Sequence, residues 1–202
     1  MRRTRAEQRE HNRRALLAST RHLLTTRGTS VPVDTIAEAA DLTTGAVYSI
    51  FGSKRDLFLA VVEESVAEYA EGVARLGTAG ATLPGLVEAY ARWVAAGVTD
   101  DFPEEARLEV LMVLLCLEDP FFRDECLRLQ RAQRDALAEL LTGRPVTDGP
   151  AARPVGRAEA TLIASSLLAV TAGFLLRGIP DGHRDLDAMV RACSALTALA
   201  TP

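Results

Sequence analysis

Hydrophobic residues recur along most of the chain at intervals of three and four, the period of an amphipathic helix, and no stretch alternates as a strand does. The pattern therefore predicts an all-α protein. Prolines that can open helices and Ser or Thr residues that can cap them divide the pattern into nine predicted helices. These cover residues 5–27, 33–40, 44–51, 53–76, 84–98, 104–117, 121–141, 157–177 and 185–200. The Gly- and Pro-rich segment 142–156 is predicted to be a loop and is the stretch most prone to disorder, although the sequence leaves its order open.

The helices predicted over 33–40 and 44–51 are short and are separated by a tight turn at Asp41-Leu42. Aspartate can adopt the left-handed backbone that such a turn needs, and Thr43 can cap the second helix. In that helix Val47 and Phe51 lie one turn apart and face inward. Its opposite side carries small or polar residues that packing does not need: Thr44, Gly45, Tyr48 and Ser49. A helix with this outer face is suited to the DNA major groove.

In this stretch the chain resembles the TetR-type transcriptional regulators. The matching residues stand at the family's spacing: Ile36-Ala37, Ala40, Leu42-Thr43, Gly45, Tyr48, Phe51, Lys54 and Asp56-Leu57. The chain departs from the family pattern at Val31-Pro32, at Asp41, where glycine is usual, and at Ile50, where histidine or an aromatic residue is common. The resemblance is confined to roughly the first quarter of the chain.

The resemblance implies a three-helix helix-turn-helix DNA-binding domain in residues 1–52 and a six-helix ligand-binding and dimerisation domain in residues 53–202. Such a protein binds a pseudo-palindromic operator in double-stranded DNA as a homodimer. We expect a repressor that a small-molecule effector releases from DNA. We expect it to be cytoplasmic and to need no cofactor. No stretch of about 20 uninterrupted apolar residues predicts a membrane span.

The candidate DNA contacts lie on the second motif helix and just beyond it. Thr43 and Tyr48 can donate to phosphates, and Lys54 can meet a phosphate at the start of the next helix. The candidates for contact with base edges are Thr44, Gly45, Ser49 and Ala46. Because this helix has no Arg, Asn or Gln, we expect DNA shape to contribute to specificity. A candidate arm for the DNA backbone or minor groove consists of Arg2, Arg3 and Arg5.

The distribution of charge supports a nucleic-acid-binding head. The 202 residues carry a formal net charge of −4. Residues 1–57 contain ten Lys or Arg and six Asp or Glu, a net +4, whereas residues 58–202 carry a net −8. A basic N-terminal quarter on an acidic body is typical of a protein that binds nucleic acid with one part of its surface only.

The family resemblance also implies an effector cavity and a dimer interface. Candidates for the cavity lining are Tyr69, Tyr90, Trp93, Met112, Cys116, Gln133 and Phe174. Their apolar character predicts a hydrophobic or aromatic effector. In such proteins the last two helices pair with those of a second copy. The corresponding candidates are Ala160, Ala164, Leu167, Leu168, Thr171, Leu186, Met189 and Val190.

Two alternatives stay open from the sequence. One is a helical small-molecule carrier or enzyme with a non-functional head. The chain has no phosphate loop or hydrolase motif, and none of its three histidines has a metal-ligand partner at helical spacing, so we predict no catalysis and no metal site. The other is a regulator that senses oxidants through cysteine. The three cysteines form no CxxC pair, which suits a reducing cytosol: Cys116, Cys126 and Cys193.

Overall fold

The computed structural model describes residues 4–78, 82–97, 104–147, 152–181 and 185–200. Within these residues the chain is helical and confirms the predicted all-α class, with two short 3-10 helices at Leu76–Thr78 and Leu196–Ala200. The α-helices are α1 (Arg5–Arg27), α2 (Val33–Ala39), α3 (Thr44–Phe51), α4 (Lys54–Arg75), α5 (Leu83–Ala96), α6 (Glu104–Glu118), α7 (Pro120–Leu141), α8 (Arg157–Asp181) and α9 (Leu186–Ala195).

The chain divides into two compact units, each with its own hydrophobic core. The first unit comprises Met1–Ser65 and Arg107–Leu127, and the second comprises Val66–Ala106 and Arg128–Pro202. This division differs from the boundary predicted after residue 52, because that prediction used only the helix-turn-helix motif. The first unit is larger because apolar residues of α4, α6 and α7 join the core of the motif helices.

The core of the first unit joins α1 to the two motif helices. α1 begins with a reciprocal cap, in which the Thr4 hydroxyl accepts from the Glu7 N–H and the Glu7 carboxylate accepts from the Thr4 N–H. Side chains from successive helices then meet inside the unit. Six of them are fully buried: Leu16, Leu17, Ile36, Val47, Leu57 and Val61. α6 and α7 complete this core with Leu108, Leu115, Phe122 and Cys126.

The turn between α2 and α3 depends on a left-handed residue. Asp41 has a φ of +56°, and among the residues that the structure describes it is the one non-glycine residue with a positive φ. The turn is closed by the Leu42 N–H, which donates to the Ala37 carbonyl at 2.9 Å. The Thr43 hydroxyl then accepts from the Ala46 N–H at 3.2 Å and caps α3, as the sequence predicted.

The second unit is built around α5, α8 and α9. α9 packs against both of the other helices, and α7 covers the same core with Leu137 and Leu141. α5 begins at Leu83, whose N–H donates to the Pro145 carbonyl at 2.9 Å. Side chains from the three central helices are buried together: Leu86, Val87, Tyr90, Ala160, Ile163, Ala164, Leu167, Met189 and Cys193.

Segment 142–156, whose order the sequence left open, has a defined structure in its described residues, 142–147 and 152–156. Two extended stretches pair in antiparallel fashion at Pro145 and Pro154. The Val146 N–H donates to the Arg153 carbonyl at 3.0 Å, and both Val146 and Val155 are buried in the core of the second unit. Composition alone missed this structure because two valines separated in sequence gain their burial only after the chain folds back.

We predict that Asp41 is the residue to which the motif turn is most sensitive. Asp41→Ala should lower the free energy of unfolding by about 1 kcal/mol, because a Cβ without a local hydrogen-bonding group disfavours the left-handed conformation. Asp41→Gly should be tolerated better. Urea denaturation measures both, with the exposed Glu38→Ala as the control. Equal losses for Asp41→Ala and Asp41→Gly would show that side-chain contacts, and not backbone conformation, determine the effect.

Candidate nucleic-acid interface

One side of α3 is turned away from the core of the first unit. Val47 is fully buried, while Tyr48, one residue later, is 50% exposed. The structure thus brings the predicted residues of α3 and its cap onto one short helix. Of these, Thr43, Gly45, Tyr48 and Ser49 are exposed, and Thr44 and Ala46 are half-buried.

Gly45 is not required by the packing of the first unit. A Cβ added at this position would meet only the Thr43 hydroxyl, at an ordinary contact distance of 3.8 Å. Glycine in the interior of a helix makes the folded protein less stable than alanine would, by roughly 0.5–1 kcal/mol. Because Gly45 has no side chain, the backbone of α3 is uncovered on the exposed side, and a large partner could approach it closely.

Lys54, a predicted phosphate contact, already has partners within the first unit. Its ammonium donates to the Thr29 carbonyl in the α1–α2 loop at 3.0 Å. It also lies 5.1 Å from the centroid of the Phe58 ring, a cation–π distance. Partial burial lowers the pKa of Lys54. One of its N–H groups therefore holds the loop before α2, while the remaining two can still reach a partner.

The N-terminus of α4 already has an acceptor of its own. The Ser53 hydroxyl accepts from the Asp56 N–H at 3.1 Å and donates to the Asp56 carboxylate at 2.6 Å. This local cap satisfies an N–H group and places a negative charge at the positive end of the helix. Any phosphate near Lys54 would therefore depend on the ammonium more than on the helix end.

Two residues of α1 that sequence reasoning did not single out lie against α3. The Arg9 guanidinium donates to the Ser49 carbonyl at 3.4 Å. The Arg13 guanidinium lies 5.8 Å from the centroid of the Phe51 ring. Their spacing of four residues in a basic helix was the available signal, because it puts them on one face. The proposed arm residues Arg2 and Arg3 lie outside the described residues.

The second unit contains a cluster of three aromatic rings. The Trp93 ring lies 5.7 Å from the Tyr69 ring and 6.1 Å from the Tyr90 ring, measured between centroids. The Tyr69 and Tyr90 hydroxyls are 3.4 Å apart, and burial strongly raises the pKa of Tyr69. Gly72 of α4 lies so close to the Trp93 ring that an added Cβ would overlap it. Phe174 packs against the same core.

The other candidates for the cavity lining are not all in this group. Met112 and Cys116 pack against the core of the first unit. Gln133 is half-buried on α7 in the second unit. The seven predicted lining residues are therefore divided between the two units. The split arises because α6 contributes its apolar side to the helix-turn-helix unit, which its own periodicity does not reveal.

Two of the three cysteines, Cys126 and Cys193, are shielded thiols, whereas Cys116 is half-buried. Burial raises the pKa of Cys126 to about 12, with a further contribution from its hydrogen bond to Cys116, and burial raises the pKa of Cys193 to about 11. Such thiols stay protonated near neutral pH and react slowly, because the thiolate is the nucleophile. Among the described residues, no three His, Cys, Asp or Glu side chains form a group that could hold a metal ion.

The predicted dimer residues need a correction. Ala160, Ala164, Leu167 and Met189 are fully buried within the single chain, and Thr171 is 5% exposed, so these five side chains fill the subunit core and cannot contact a second copy. The half-buried candidates are Leu168, Leu186 and Val190. The sequence could not distinguish the two sides of α8, because apolar residues occupy both.

The exposed side of α8 is apolar or small. Leu162 is 60% exposed, Ser165 and Ala169 are exposed, and a Cβ added at Gly173 would meet open space. Among the described residues, Arg157–Arg177 is long and apolar enough to cross a membrane, judged by length and composition alone, and 28% of its most apolar stretch is buried. A core helix passes the same test, and the buried side of α8 packs on α9.

Comparison with known proteins agrees with this architecture. Residues 16–61 match the sequence profile of the family of bacterial regulatory proteins described as the tetR family. No curated protein sequence matches the chain. Solved structures with a similar fold include a TetR transcription regulator from Haloarcula marismortui, with 14% identity, 94% and 98% of the two chains covered and a TM-score of 0.71.

Two further structures have the same fold. A TetR-family member from Streptomyces coelicolor is 20% identical over 92% of this chain and 97% of the other, with a TM-score of 0.69. The multidrug binding protein EbrR, solved with malachite green, is 20% identical over 91% and 96%, with a TM-score of 0.65. At these identities the similarity establishes the fold, and the profile match identifies the N-terminal segment.

Proposed function

Because this chain belongs to the TetR family of DNA-binding transcriptional regulators, we propose that it is a ligand-responsive repressor. It binds a pseudo-palindromic operator as a homodimer and is released by a small apolar or aromatic effector. The single observation that carries the proposal is α3, a capped helix with Val47 in the core and a hydroxyl-bearing side exposed.

Recognition of DNA falls to the exposed side of α3 together with Lys54. Thr44, Ser49 and the bare backbone at Gly45 meet base edges in the major groove, with Ala46 at a thymine methyl group. Thr43 and Tyr48 donate to phosphates, which position the helix without reading sequence. Lys54 uses the N–H groups that Thr29 leaves free. Because α3 has no Arg, Asn or Gln, DNA shape supplies part of the specificity.

The homodimer forms through the exposed side of α8 and the adjoining part of α9. A second copy would cover the apolar surface at Leu162 and Ala169, and the small residues at Ser165 and Gly173 permit close helix approach. Two-fold symmetry places the two α3 helices about 34–36 Å apart on DNA, one helical turn, so the operator is a pseudo-palindrome.

The effector binds beside the aromatic cluster of the second unit. The Tyr69 and Trp93 rings are half-buried and tilted, which suits contact with an aromatic ligand, and both pack near the buried Tyr90. α4 is one continuous helix that carries Lys54 at its start and both Tyr69 and Gly72 near its end. A ligand that shifts α4 therefore changes the position of DNA-contacting residues. The malachite green bound by EbrR, a protein of the same fold, supports the aromatic class.

The first prediction from the proposed function separates reading of sequence from affinity for the DNA backbone. Thr44→Ala should change the bases preferred in a selection from random duplexes, whereas Tyr48→Phe should weaken all sites alike by about 1 kcal/mol through loss of one hydrogen bond. Thr142→Ala, which removes a hydroxyl from an exposed residue of the second unit, is the control. If the wild-type protein selects no sequence, the proposed function fails, and a carrier or enzyme becomes the better interpretation.

The second prediction concerns the dimer. Leu162→Arg or Ala169→Arg should raise the dissociation constant of the dimer at least a hundredfold, about 3 kcal/mol, because each places an unpaired charge in an apolar interface. Light scattering after size-exclusion chromatography measures the mass. Leu117→Arg is the matched control, since Leu117 is 71% exposed on α6. A monomeric Leu117→Arg beside a dimeric Leu162→Arg would move the interface to α6.

The third prediction concerns release from DNA. Malachite green should quench the fluorescence of Trp93, the one tryptophan in the sequence, and lower operator affinity. A ligand that favours the non-binding state by about 3 kcal/mol lowers that affinity more than a hundredfold. Gly72→Ala, which displaces the Trp93 ring, should change both effects together. Quenching without loss of operator affinity would contradict the coupling. Release by peroxide that disappears in Cys116→Ser would favour the redox alternative.

A further inference from the structure

The first unit has a shallow cleft beside the exposed side of α3. Its volume is about 320 Å³. One wall comes from the first two turns of α1 and the other from α3. The residues that line it are Arg5, Gln8, Arg9, Asn12, Ala46, Ser49 and Ile50. Ala46 and Ser49 also belong to the proposed base-reading side, so the cleft lies at the edge of the DNA-binding surface.

An arginine ridge borders this cleft: Arg5, Arg9 and Arg13 recur every four residues along α1 and therefore share one face. Arg9 is oriented by the Ser49 carbonyl, and Arg13 by the Phe51 ring. Within the described part of the chain, none of the three forms an ion pair with a carboxylate. The ridge therefore keeps its positive charge available to an external anion.

The acidic residues of α1 are engaged elsewhere. Glu7 accepts from the Thr4 N–H at 2.7 Å as part of the cap of the helix. Glu10 is paired with Arg14 at 2.8 Å. Arg14 is thus paired with a carboxylate, whereas the arginine ridge has no carboxylate partner among the described residues.

The cleft also offers neutral donors. The Gln8 amide donates to the Asn12 side-chain carbonyl at 2.8 Å, which orients the Asn12 amide nitrogen as a further donor. The Ser49 hydroxyl lies on the opposite wall. Guanidinium groups and amide or hydroxyl donors around a shallow, open cleft are the groups that bind a phosphodiester, with arginine able to donate two parallel bonds.

We propose that the arginine ridge and this cleft bind backbone phosphodiesters of the operator, so that α1 supplies the electrostatic affinity that α3 lacks. α3 has no cationic side chain, and one donor of Lys54 is held by Thr29. The inference rests on the proposed DNA-binding function. In this arrangement α3 selects the sequence, whereas Arg5 and Arg9 hold the duplex beside it without reading bases.

The test is the salt dependence of binding to a duplex that the wild-type protein has selected from a random pool. The double variant Arg5→Gln/Arg9→Gln should reduce the magnitude of the slope of log K against log salt by about two, because each lost phosphate contact removes about 0.9. Affinity near 0.1 M salt should fall at least tenfold, with the preferred sequence unchanged. Arg9→Lys, which keeps the charge, should largely retain the slope.

Arg14→Gln is the matched control, because it removes an arginine from the same helix whose charge is already paired with Glu10. Its slope should stay within about half a unit of the wild-type slope. An unchanged slope in the double variant, or an equal reduction in Arg14→Gln, would overturn the inference.

Circular dichroism and thermal unfolding verify that each variant is folded. Selective binding by the wild-type protein with an unchanged slope in the double variant refutes the ridge alone, whereas absence of selective binding refutes the proposed function.

Discussion

The orientation of α3 depends on the left-handed backbone at Asp41. With φ at +56°, the chain reverses within two residues, and the Leu42 N–H closes the turn on the Ala37 carbonyl. This geometry determines the rotation at which α3 starts. Val47 consequently enters the core, and Tyr48 and Ser49 remain outside. A different backbone at this residue would redirect α3 and its exposed side, because the dihedral angles of the turn set the direction in which the chain enters the helix.

α1 serves the first unit in two ways. Its buried side carries Leu16 and Leu17, which meet the motif helices in a common core. Its first turns project beyond that core and place the arginine ridge beside α3. A single rigid helix therefore couples the packing that holds the motif to the charge that surrounds it. The contacts of Arg9 with the Ser49 carbonyl and of Arg13 with Phe51 keep those side chains near α3 even before a partner is present.

α4 and α8 illustrate how one helix can take part in two kinds of surface. α4 contributes Leu57 and Val61 to the core of the first unit and Val73 to that of the second. The absence of a side chain at Gly72 lets the Trp93 ring pack directly on its backbone. α8 buries Ala160, Ala164 and Leu167 but leaves a second apolar side exposed. Apolar surface on both sides of a helix is expected where folding and association each bury one of them.

Features of the chain that depend on neighbouring residues could be predicted from the sequence alone. The helix positions, the Thr43 cap and the turn at Asp41 follow from periodicity, hydroxyl placement and local backbone preference. The match to the helix-turn-helix pattern identified the family for the same reason, since its residues are contiguous. Local interactions are encoded within a few residues, and a linear pattern is enough to reveal them.

Only the tertiary structure decided which partner each side chain meets. Lys54 binds the Thr29 carbonyl, 25 residues away, and Arg9 reaches Ser49, 40 residues away. The same applies to Val146 and Val155, which are buried only because the chain folds back on itself, and to Met112, which joins the first core through the packing of α6. Periodicity shows that a helix has an apolar side but not which core that side will enter. That choice depends on the summed burial of residues distant in sequence, and it is made only when the whole chain packs.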